Sequence, residues 1–146
     1  MRGDIENVVD SLNSLLRGEM SAVETYRQAL GKLNSSTARP QLEECQLSHA
    51  ERVTKLREQI ARLGGSPSES SGVWGAFAGM VEGSAKAFGE KAAIAALEEG
   101  EDHGLKQYRD EIRKLDVESR QLVETDLLPQ QERTHRTMST VKHSFH

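Results

Sequence analysis

The chain is poor in cysteine, proline and aromatic residues, with one Cys, three Pro and 4% Phe, Trp and Tyr among 146 residues. The single thiol, Cys45, cannot close an internal disulfide, and no apolar stretch marks the N-terminus as a leader. An unprocessed, cytoplasmic chain is the expectation. No run approaches the roughly 20 apolar residues that span a bilayer. Basic residues are not in excess either, since 19 Lys and Arg against 23 Asp and Glu leave a net charge of −4. No nucleic-acid partner is therefore expected.

What is present is helical periodicity. At this length the chain suits a single domain covering residues 1–146, and its 36% apolar content suits helices that bury one stripe and solvate the rest. Leu12, Leu16, Val23, Leu30 and Leu33 mark a helix over about 4–34, with Asp4 as its N-cap. Leu42, Val53, Leu56, Ile60 and Leu63 mark a second over 40–63, with Pro40 in its first turn and Gly64-Gly65 as a left-handed stop. A third runs over 86–115 through Ile94, Leu97, Leu105, Tyr108 and Ile112. A fourth, capped by Asp116, runs over 117–141 and should kink at Pro129. The Gly- and Ser-rich crossover, 64–86, carries Trp74, Phe77, Val81 and Phe88 at helical spacing, which predicts a short extra helix around this stretch. Two short connections and one long crossover describe two antiparallel hairpins, an all-α bundle with ferritin-like topology.

The two hairpins share a frame. Gly18-Glu19 with Tyr26-Arg27 recurs as Gly100-Glu101 with Tyr108-Arg109, using the only two tyrosines. Each copy is followed by a histidine, His49 after 30 residues and His135 after 34, the latter within Glu132-x-x-His135. Counting by threes and fours places Glu19, His49 with Gln46, Glu101 with Glu98, and Glu132 with His135 on the inward stripes of the four helices. Converging carboxylates repel unless cations or protons neutralise them, and a divalent ion does so directly. Oxygen and imidazole ligands suit iron, manganese or zinc. The bland alternative stays open: a lone inward Glu is often paired with an Arg, and Arg27, Arg52 and Arg109 are available. Tyr26 and Tyr108 are core residues whose hydroxyls find a carboxylate or water, in the sharper version a ligand Glu. Cys45 reads as a small buried apolar residue.

The run Leu15-Leu16-Arg17-Gly18-Glu19 with Tyr26, then His49, Gly64-Gly65-Ser66-Pro67, Ser71-Gly72, Trp74-Gly75, Gly100-Glu101, Tyr108 and His135, resembles a bacterial family of four-helix-bundle proteins of unknown function in the ferritin-like superfamily. At longer range, Glu19-Met20-Ser21-Ala22 with Tyr26, and Glu132-x-x-His135, resemble the ligand motifs of the bacterioferritin and rubrerythrin group. That resemblance implies iron, in a di-iron site with Glu19 and Glu101 as terminal ligands, Glu132 bridging, and His49 and His135 as imidazoles. It implies at most an oxidase or ferroxidase. Gln46 departs from it, standing where the group has a bridging Glu, and three carboxylates balance two divalent ions less well than four. Glu98 would restore the count by leaning in.

Two function classes follow. One is a redox or stress protein with a carboxylate and histidine metal site in the bundle core. The other is a non-catalytic interaction module with a degenerate or empty site, whose stripe Trp74, Phe77, Val81 and Phe88 covers its own bundle or buries in a second copy, making a homodimer. A membrane-surface role for Val73 to Phe88 is disfavoured, because Lys86 and Lys91 are its only basic company.

Overall fold

A computed structural model describes residues 2–33, 36–71 and 89–145, all of whose regular elements are helical. Helix α1 spans Arg2–Lys32, α2 Arg39–Arg62 and α3 Glu90–Glu111; a 3-10 turn, Ile112–Lys114, ends the third rod. The fourth rod begins as α4 (Val117–Leu122), widens into a π turn (Val123–Leu127) and continues as α5 (Leu128–Ser144). The expected extra helix, with Trp74, Phe77, Val81 and Phe88, lies outside the described residues. So do the first three residues expected in the third helix, 86–88.

Local chemistry sets most of the boundaries. Gly64 adopts φ +80°, and the Gly65 amide bonds back to the Ile60 carbonyl, closing α2 in the left-handed turn that only glycine enters cheaply. Asp116 caps α4 by accepting from the Ser119 amide at 3.3 Å. The first helix starts before Asp4, which lies in its first turn and not at its cap.

The fourth rod continues through Pro129, which stands in the first turn of α5. That residue has no amide to donate, and the chain answers by widening the preceding turn, so that the Leu128 amide reaches the Val123 carbonyl five residues back.

Bonds between rods fix the topology. Glu19 meets His49 and Gln46 meets Val23, so α1 and α2 are antiparallel. Tyr26 meets Glu101 while Tyr108 meets Glu19, so α1 and α3 are antiparallel too. Helices α2 and α3 thus run parallel, so the end of α2 and the start of α3 lie at opposite ends of a rod of about 36 Å, at ~1.5 Å per residue. This is the ferritin-like arrangement.

Two apolar clusters fill the bundle, one around Leu30, Leu42, Ile94 and Met138, the other around Leu12, Leu16, Leu56, Ile60 and Leu127. The polar site lies between them. Among the described residues no helix is long and apolar enough to cross a membrane.

Candidate functional site: a neutralised carboxylate cluster in the bundle core

Glu19, His49 and Glu101 are each 3% exposed, and they meet in the interior. The His49 ring lies between the two carboxylates. Its Nδ1 contacts Glu19 and its Nε2 contacts Glu101 at 2.7 Å. Two carboxylates leave both ring nitrogens needing a proton, so the geometry calls for an imidazolium. Burial and the Arg52 charge pull the His49 pKa down, yet Glu101 and Glu19 outweigh them and raise it.

The fourth member is Arg52, whose residue is 0% exposed. Its guanidinium lies 3.1 Å from Glu19, donates to Gln131, and reaches Ser48 at 3.2 Å and Thr134 at 3.1 Å. Burial would raise the Glu19 carboxyl, but Arg52 and His49 hold it below the usual carboxylate range. Glu101 behaves likewise: burial opposes, while His49, Tyr26 and Thr134 bring its pKa down to about 2. Two negative and two positive groups cancel. Every buried side-chain nitrogen and oxygen among the described residues has a hydrogen-bond partner.

The tyrosines cross between hairpins. Tyr26 on α1 donates to Glu101 on α3 at 2.5 Å, and Tyr108 on α3 donates to Glu19 on α1. Burial and the neighbouring carboxylates raise both phenols well above their ordinary range, so they remain donors. Cys45 is 1% exposed, and burial with the Glu101 charge pushes its thiol up to about 12, which leaves it inert.

A cavity of ≈ 40 Å³ adjoins the cluster between α1 and α3, walled by Gly18, Ala22, Gly100, Gly104, His49 and Tyr108. It has room for about three waters, at roughly 10–15 Å³ each.

The fourth rod departs from expectation. Glu132 and His135 do not point into the core; Val123, Leu127, Gln131, Thr134 and Met138 do. The inward stripe lies one residue, about 100° around a helix, from the one that carries Glu132 and His135: Leu127 is buried and Leu128 only partly so. Gln131 and Thr134 occupy the inward places instead, donating to the Glu101 carboxylate at 3.0 and 2.7 Å. His135 turns outward to Asp102 and Glu98. Gln46 also stays away from the cluster, its amide donating to the Val23 carbonyl at 3.3 Å. Glu98 pairs with Lys142 at 3.6 Å and does not lean into the core.

A pair of divalent ions does not fit this donor set. Among the described residues the interior offers two carboxylates and one imidazole whose nitrogens face opposite ways, and the fully buried guanidinium already supplies positive charge beside Glu19. Of the three arginines available to pair an inward Glu, Arg52 is the one that reaches Glu19. Its position three after His49 on the same helical face was the available signal.

Residues 7–114 match the family described as "Domain of unknown function (DUF2383)". No curated protein matches the chain. A crystal structure described as ferritin like, diiron-carboxylate proteins from Bacillus anthracis str. Ames is similar to it at TM-score 0.67 and 20% identity, over 99% of this chain and 96% of that one. At that identity the likeness establishes the fold.

Proposed function

We propose that this chain, which belongs to the DUF2383 family of unknown function, is a non-catalytic ferritin-like bundle, an interaction or stress protein whose interior site holds protons in place of a metal pair. The observation that carries this reading is Arg52, wholly buried and in contact with Glu19 and three further acceptors. Bringing divalent ions to that point means placing them against a fixed guanidinium in a medium of low dielectric, where like charges cost several kcal/mol. The proton on His49 does the neutralising instead. Such a bundle acts through its outer faces, and association with a second copy is part of the proposal.

Aerobic titration with ferrous iron, followed optically, tests it. Oxidation no faster than in buffer is expected. Stoichiometric ferroxidation that disappears in His49→Gln would overturn the reading. It would favour the second one, in which Glu19, His49 and Glu101 hold iron, as the word "diiron" in the description of the similar crystal structure suggests.

A further inference from the structure

Two of the candidate ligands that the sequence places on the second hairpin, His135 and the additional Glu98, come together on the outside of the bundle. Glu98 and Asp102 stand one turn apart on α3, and His135 faces them from α5. One ligand atom from each lies within 4.8 Å of the other two. Among the described residues this is the set of His, Cys, Asp and Glu that comes so close. We propose that Glu98, Asp102 and His135 form a binding site for one divalent first-row cation, separate from the buried cluster.

Three features support it. The spacing i, i+4 presents both carboxylates to the same point, and the third ligand comes from a different rod, so the site exists only in the folded bundle. Ligands bound at about 2.0–2.2 Å lie some 3–4 Å from one another, a distance these side chains reach by small rotations. Two carboxylates and a neutral imidazole carry a charge of −2, which a divalent ion cancels, and one nitrogen with oxygens suits zinc, cobalt, manganese or ferrous iron. Three protein ligands leave a coordination position for water.

The site is partly sheltered, with side-chain exposures of 12% for Glu98, 24% for His135 and 56% for Asp102. Competition comes from Lys142, 3.6 Å from Glu98, while Arg109 and Arg136 border the adjoining depression with Asp102 and His135. Without the ion, His135 is held by Asp102.

The test is titration of untagged, full-length protein with Co²⁺, reading its visible bands, and with Zn²⁺ by calorimetry, with far-UV circular dichroism checking each variant's fold. One equivalent should bind in the micromolar range. His135→Gln and Asp102→Asn should each weaken binding at least tenfold, Glu98→Gln several-fold, and His103→Gln not at all. Lys142→Gln should tighten binding two- to fivefold by releasing Glu98, a gain that no unfolded variant can mimic. No saturable binding up to millimolar Co²⁺, or binding that survives either His135→Gln or Asp102→Asn, overturns the site. Because the core variant His49→Gln should leave Co²⁺ binding unchanged, failure here and failure of the non-catalytic reading are separate results.

Discussion

Gln131 stands to Glu101 as His49 stands to Glu19: each side chain, from the second rod of its hairpin, bonds the glutamate 30 residues before it. The offset of 82 residues that carries Glu19 to Glu101 and Tyr26 to Tyr108 also carries His49 to Gln131 and Arg52 to Thr134. The duplicated frame therefore extends through both hairpins, but its second copy has a neutral amide and a hydroxyl where the first has two cationic groups. One imidazolium and one guanidinium serve both carboxylates.

Arg52 should be the costliest single loss. Substituting Arg52→Met leaves Glu19 with one cationic partner fewer in a dry interior, and breaking such a buried pair costs roughly 3–5 kcal/mol. Arg52→Lys should recover little of it, because one ammonium cannot reach Glu19, Gln131, Ser48 and Thr134 together. Urea denaturation at pH 6 measures both, and a change below 1 kcal/mol in Arg52→Met contradicts the arrangement.

The crossed phenols should contribute equally. Tyr26→Phe and Tyr108→Phe each remove a hydrogen bond to a buried carboxylate, worth about 1.5–3 kcal/mol, while keeping the ring. Because both act on one charge network, the double variant should lose measurably more or less than the sum, by 0.5 kcal/mol or above. Independent effects in a double-mutant cycle would mean the two glutamates are not linked through His49.

Stability should fall on both sides of mild acidity. His49 has a raised pKa in the fold, so its contribution is whole below 6.5, its ordinary value, and disappears as pH climbs through the raised one. Glu101, held at about 2 against 4.5, contributes on the order of 3 kcal/mol above 4.5 and loses it as pH falls toward 2. Melting temperatures from pH 2 to 9 should peak between 5 and 6.5. In His49→Gln the decline above 6.5 should vanish, and its persistence would assign that decline to another group.

Two helical glycines should respond in opposite directions. A Cβ at Gly31 meets nothing within 4 Å, so Gly31→Ala should add up to about 1 kcal/mol through helix propensity. At Gly104 the Cβ would lie 2.7 Å from the Gln131 amide nitrogen, which is committed to Glu101. Gly104→Ala should therefore destabilise despite its better propensity. Thermal melts of the two variants compare them directly.

The four rods are legible in the sequence, because apolar spacing, Pro40, Gly64 and Asp116 act locally, within a turn or two of where they stand. So is the inward facing of Glu19, His49 and Glu101, since each lies on an unbroken α-helical stripe. The facing of the fourth rod depends on packing between rods. There Pro129 and the π turn accompany a register one residue from the expected one, which exchanges Glu132 and His135 for Gln131 and Thr134. Only the tertiary structure decided, too, that Arg52 faces the carboxylates. A guanidinium on a long side chain is as easily solvated as buried, and its direction depends on which acceptors the neighbouring rods bring within reach.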